Sequence, residues 1–251
     1  CSFLDFDMSG FMPKQQDAGL GRASAIYNLL LDSPARAWKG TRGALKAFPK
    51  SERVQFVAGL VLIARGKKPQ ARQYFANAIK LGTPNPDAYL NLAFLSTEVG
   101  KLGFALETLD LAQKRFNDDL QVLTARIQIL QSAGDALRAL DATNEALILH
   151  PNATSVRLLR GILLAENGRL LDGISALKNL LDDHPDHVVA RINLGRFYAF
   201  TNQPNLGLEV TERAYVLSPD NSAVVENLAI RRSENGDFEG AAILFRKLAA
   251  L

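Results

Sequence analysis

GKKPQARQYFANAIKLGTP, residues 66–84, sets a frame into which most of the chain falls. Three later stretches align with it: GKLGFALETLDLAQKRFN (100–117), GDALRALDATNEALILHP (134–151) and GRLLDGISALKNLLDDHP (168–185). Their first glycines, Gly66, Gly100, Gly134 and Gly168, stand 34 residues apart each time. Extended both ways, the frame gives repeats at 18–51, 52–85, 86–119, 120–153, 154–187, 188–221 and 222–251, without an insertion. Position 20 of the repeat is always small: Ala37, Ala71, Ala105, Ala139, Gly173, Gly207 and Ala241. Position 8 is small at Ala25, Gly59, Ala93, Gly161, Gly195 and Ala229, with Ile127 the exception. Short side chains at both places let two helices approach closely. Position 27 adds Ala44, Ala78, Ala112, Ala146 and Ala214, broken by Leu180 and Leu248.

Punctuation follows the same frame. Position 15 holds Gly66, Gly100, Gly134, Gly168 and Gly236, with Asn202 and Asp32 in the other repeats. A left-handed residue closing a first helix calls for such side chains. Pro49, Pro151, Pro185 and Pro219 at position 32 close the second helix, because proline cannot continue one. This pattern resembles the tetratricopeptide (TPR) repeat, a helix–turn–helix unit of that length. The resemblance implies an all-α superhelical solenoid over residues 18–251, each repeat touching its neighbours. It also implies a non-enzymatic scaffold for a protein partner. The first repeat is the weakest, with Gly40 and Gly43 costing roughly 1 kcal/mol each against Ala in its second helix. Residues 1–17, with Gly10, Pro13 and no period, read as a linker.

Composition narrows the function classes. A net charge of +3 gives no strong preference for nucleic acid. No run approaches the ~18 apolar residues of a membrane-spanning helix. One cysteine cannot build an internal disulfide framework or a cysteine metal cluster. His150, His184 and His187 read as turn residues, since a metal site needs more ligands nearby. "GKK" at Gly66 lacks the glycine-rich lead and the Ser/Thr of a phosphate loop. No nucleophile–base arrangement stands out, so neither catalysis, a cofactor nor a metal is expected.

The lone cysteine is residue 1, followed by Ser2. That pair resembles the mature start of a bacterial lipoprotein, in which a signal peptide is removed immediately before an acylated Cys. The alternative is a chain that happens to begin at a surface cysteine. The resemblance implies lipidation of Cys1 and membrane attachment through it. With Ser at the second position it further implies outer-membrane sorting, the body facing the periplasm. One acyl chain binds a membrane only marginally, so a multi-chain anchor is what makes attachment stable. A flexible spacer of about 16 residues has a span of about 20–24 Å, enough to let a solenoid turn on its anchor.

Charge is uneven. Residues 33–80 carry eleven Lys or Arg and one acid, Glu52; the remainder carries 18 basic and 25 acidic residues. The basic segment is either a solvated face or a surface for anionic headgroups or an acidic partner.

The inner surface of such a superhelix is lined by the first helix of each repeat. In the first three repeats the frame places Arg22, Ile26, Leu29, Phe56, Leu60, Ile63, Leu90, Asn91, Phe94 and Thr97 there, largely apolar. The fourth repeat turns polar, with Gln121, Thr124, Gln128 and Gln131. Asn91, Asn193 and Asn227 share position 6, where TPR relatives present Asn to a bound peptide backbone. Arg22, Ile26, Phe56, Leu60, Ile63, Leu90, Asn91, Phe94, Asn193 and Asn227 are therefore the expected partner-binding residues. Ile26 stands where a chaperone-binding carboxylate clamp has Asn, so that class of adaptor is not indicated.

A TPR array on a lipid anchor is similar to the TadD-type assembly lipoproteins of the tight-adherence (Flp, type IV) pilus. By that resemblance the partner is an outer-membrane secretin subunit, and the chain its pilotin. The alternatives are an outer-membrane biogenesis factor, an adaptor for peptidoglycan enzymes, or a cytosolic TPR adaptor.

Overall fold

The computed structural model describes residues 33–251 together with the helical residues Ala23, Ile26, Tyr27, Asn28 and Leu30. Cys1, the 1–17 linker, Arg22 and Leu29 lie outside the described residues. Among those described, the secondary structure is all helix: α1 (Pro34–Ala47), α2 (Glu52–Ala64), α3 (Lys68–Lys80), α4 (Asp87–Thr97), α5 (Leu102–Phe116), α6 (Leu120–Ser132), α7 (Ala136–Leu149), α8 (Thr154–Glu166), α9 (Leu170–Asp183), α10 (Val188–Phe200), α11 (Pro204–Leu217), α12 (Ser222–Glu234) and α13 (Phe238–Ala250). From α2 onward they fall two to a repeat, as the 34-residue frame requires. The chain divides into two compact units, 1–117 and 118–251. Within each, a helix packs on its partner in the repeat and on the helix that follows.

Each first helix ends the same way. Gly66, Gly100, Gly134, Gly168 and Gly236 have φ between 69° and 84°, and Asn202 has φ 57°. This lets the next amide turn back onto the helix: Lys67 N donates to Leu62 O at 2.8 Å, Lys101 N to Ser96 O at 2.9 Å, and Asp135 N to Leu130 O at 3.0 Å. Arg169, Gln203 and Asp237 repeat the bond. Carbonyls that the helix end would leave unpaired are thereby satisfied. The second helix starts immediately, with Asp135 capping Arg138 N and Asp237 capping Gly240 N. It stops two residues before the proline, as at Leu149 and Asp183. Ser51, Asp119, His187 and Asn221 then cap the following first helix with their side chains.

The small-residue columns are the contact between paired helices. A Cβ on Gly59 would meet the Phe75 ring at 2.6 Å, and one on Gly161 the Leu177 side chain at 2.7 Å. One on Gly195 would collide with Thr211 Oγ1. Position 24, which supplies Phe75, Leu177 and Thr211, thus fills the space that position 8 vacates. The exception at position 8 obeys the same volume rule: Ile127 shares its repeat with Thr143, both fully buried. Ala37, Ala71, Ala105 and Ala139 at position 20 are wholly buried too.

Repeats are stitched at their ends by polar bonds. Asn167 Nδ2 donates to Ala136 O at 3.2 Å, and Asn235 Nδ2 to Pro204 O at 3.1 Å, each reaching back one repeat. Arg115 donates to Gly82 O, and Lys247 to Pro219 O and Tyr215 Oη. The proline turn is replaced between α5 and α6 by Asn117 and Asp118, with φ 25° and 30°. Helical spacing alone suggests that Leu244, Leu248 and Leu251 share an exposed face of α13. Leu244 is instead 5% exposed and packs with Val225, Leu228 and Ala229. The exposed apolar residues there are Phe238, Ile243, Phe245 and Leu251.

Candidate protein-binding surface

The expected binding residues divide between the two units. In the N-terminal unit, Leu60, Ile63, Asn91 and Phe94 are partly exposed on α2 and α4. Phe56 is not on that surface. It is 1% exposed, with its ring 5.7 Å from that of Phe75. Ile26 and Leu90 are likewise core, at 5% and 9% exposed. Position 5 in these repeats therefore turns into the core, one helical step from the open face. Part of the apolar lining read from the sequence is core packing.

In the C-terminal unit the first helices touch in sequence: α6 on α8, α8 on α10, α10 on α12. Their open side carries Asn193 and Asn227, with Val189, Phe200 and Ile230 exposed beside them; Phe200 is 70% exposed. Asn91, Asn193 and Asn227 all donate Nδ2 to the carbonyl four residues back, at 2.8–2.9 Å. That bond fixes each amide upright on its helix. The Asn193 Oδ1 also accepts from Arg196 Nη2 at 2.9 Å. An extended backbone laid along this side would meet amides at one repeat's spacing, with apolar side chains between them.

Phe200, Arg196 and Arg231 did not figure in the sequence expectation. Arg231 left a readable signal: position 10 is otherwise Tyr27, Val61, Leu95, Ile129, Leu163 and Phe197. Arg231 is 6% exposed, and burial is the first cause that lowers its pKa.

The histidines are used locally. His187 Nδ1 accepts from Ala190 N at 3.1 Å, capping α10. His150 Nε2 lies 2.6 Å from Asp118 O, and His184 Nε2 lies 3.1 Å from Thr154 Oγ1. Among the described residues no cluster of His, Cys, Asp or Glu could hold a metal ion. No described helix is long and apolar enough to cross a membrane. The basic segment is on α1–α3, where Arg65 lies over the Trp38 ring at 5.3 Å and Lys68 pairs with Glu98 at 2.9 Å.

Known proteins share this architecture. A tetratricopeptide repeat protein from Parabacteroides merdae superposes with a TM-score of 0.72 at 16% identity, over 92% of this chain and 93% of that one. PilW, described as a widely conserved type IV pilus biogenesis factor, superposes with a TM-score of 0.64 at 16% identity, over 79% and 92%. Human tetratricopeptide repeat protein 7B is 25% identical over 117 residues. That match covers 47% of this chain but only 13% of the human protein's length. Residues 42–119 and 158–222 match the tetratricopeptide repeat family. These segments make up more than half of the sequence, and the chain belongs to that family.

Proposed function

We propose that the chain is a lipid-anchored assembly factor of a bacterial envelope machine, holding a segment of a partner protein along the first helices of its repeats. The observation that carries the binding role is the row of touching helices α6, α8, α10 and α12, with upright Asn193 and Asn227 and exposed Phe200 and Ile230. Exposed apolar residues gathered on one side of a scaffold mark an interaction site. The finer reading is a pilotin for a secretin subunit of the tight-adherence pilus, at the outer membrane and facing the periplasm. It is supported by the lipoprotein-like Cys1–Ser2 start and by the likeness to a pilus biogenesis factor.

A photo-crosslinking residue at Phe200, in the native host's envelope fraction, tests this reading. Cross-links to a secretin subunit are expected, together with acylated Cys1 by intact mass and release of a Cys1→Ser variant from the membrane. Cross-links solely to peptidoglycan enzymes, or an unmodified Cys1, would overturn the pilotin reading.

A further inference from the structure

Position 10 is the one column of the repeat in which a charge replaces a core side chain. Val61, Ile129 and Leu163 are wholly buried there, and Leu95 and Phe197 nearly so. Arg231 takes the same place at 6% exposure. The neighbouring helix makes room for it: the Arg231 Cδ lies 3.6 Å from where a Cβ of Gly207 would stand. A guanidinium brought this far from water needs its N–H groups paired. Only one of its nitrogens is so paired. Nη2 meets Glu234 Oε1 at 3.0 Å, while Nε and Nη1 find no acceptor among the described residues.

The surroundings are short of negative charge. Glu234 attracts Arg231, but Arg196, on the touching helix α10, repels it. Arg196 is exposed and held toward Asn193 by its 2.9 Å bond. Two guanidinium groups thus share one carboxylate, next to the row of asparagines described above. Leucine would fill the column without a desolvation cost, so retaining arginine lowers stability unless something else pairs with it.

We propose that Arg231 is a carboxylate-recognition point of the C-terminal unit. A carboxylate of the bound segment, from its C-terminus or from an Asp or Glu side chain, takes the guanidinium edge that Glu234 leaves. Arg196 adds the second positive charge, and Asn193 and Asn227 hold the adjoining backbone. The proposal rests on the peptide-binding reading of this surface and adds the chemistry of the occupant. Arginine suits this role because its planar fork matches a carboxylate in two bonds.

The test follows the Arg231 Nε–H resonance of the full chain by NMR while three probes are added: the acetylated tripeptide Ile-Leu-Leu with a free C-terminus, its amide, and acetyl-Ile-Glu-Leu-amide. The free acid or the glutamate peptide is expected to shift that resonance saturably and to bind about tenfold tighter than the amide, a charged hydrogen bond's worth. The responding probe tells which carboxylate source is used. Arg231→Leu is expected to melt higher than the wild type and to bind all three alike. If acid and amide bind the wild type equally, without moving Arg231, the carboxylate proposal fails while the peptide-binding surface stands. If no probe binds, both fail. If Arg231→Leu melts higher yet keeps the preference, the arginine is not the recognition point. Should that variant not fold, the wild-type titration decides alone.

Discussion

A Cβ placed on Gly173 would stand 2.7 Å from the carbonyl oxygen of Gly161, backbone against backbone. Gly207 repeats the relationship one repeat later, with Gly195 O at 2.8 Å. Two glycines facing each other across a helix pair bring the chains closer than any side chain would allow. A methyl group there has no flexible neighbour to push aside.

Gly173→Ala is accordingly expected to destabilise the C-terminal unit by about 1–3 kcal/mol, the cost of overpacking a close contact. Gly103→Ala, also inside a second helix, has nothing within 4 Å of its added Cβ. It is expected to stabilise by up to about 1 kcal/mol through helix propensity. Urea unfolding of both variants checks the pair, and equal effects would refute the contact argument.

The core position of Phe56 and the exposed position of Phe200 separate folding from binding. Phe56→Ala is expected to cost about 3–5 kcal/mol of stability by leaving a cavity beside Phe75. Phe200→Ser should change stability by under about 0.5 kcal/mol. It should weaken partner binding by about 2 kcal/mol if the aromatic ring anchors the segment. Thermal melting and partner affinity, measured on both variants, are the readouts.

Asn202 is the one non-glycine among the described left-handed caps of the first helices. Asn202→Gly should leave stability unchanged or raise it by a few tenths of a kcal/mol. Gly134→Val, at φ 76°, should lower it by about 1–2 kcal/mol, because a branched side chain meets the backbone there. Denaturant midpoints for the two variants check this.

Much of the fold was legible in the sequence because a repeat is a local object. Its helix lengths, its left-handed caps and its small-residue columns each depend on residues a few positions apart, and Gly66, Gly100, Gly134, Gly168 and Gly236 all took the conformation that their spacing demanded. Even the exception at Ile127 made sense once Thr143 was seen in the same repeat. The binding surface was less legible, because a side chain's exposure depends on the neighbouring repeat and not on its own. Phe56 and Phe94 read alike in the sequence, yet the first packs on Phe75 while the second stays partly exposed. Leu244 read as an open face, and helix α12 covers it. The sequence by itself determined the repeat, its period and its helical hairpins. The tertiary structure decided which apolar residues are core, and where one buried arginine lacks acceptors for two of its nitrogens. One residue of phase turns a helix by about 100°, so burial is settled only when the facing helix is in place.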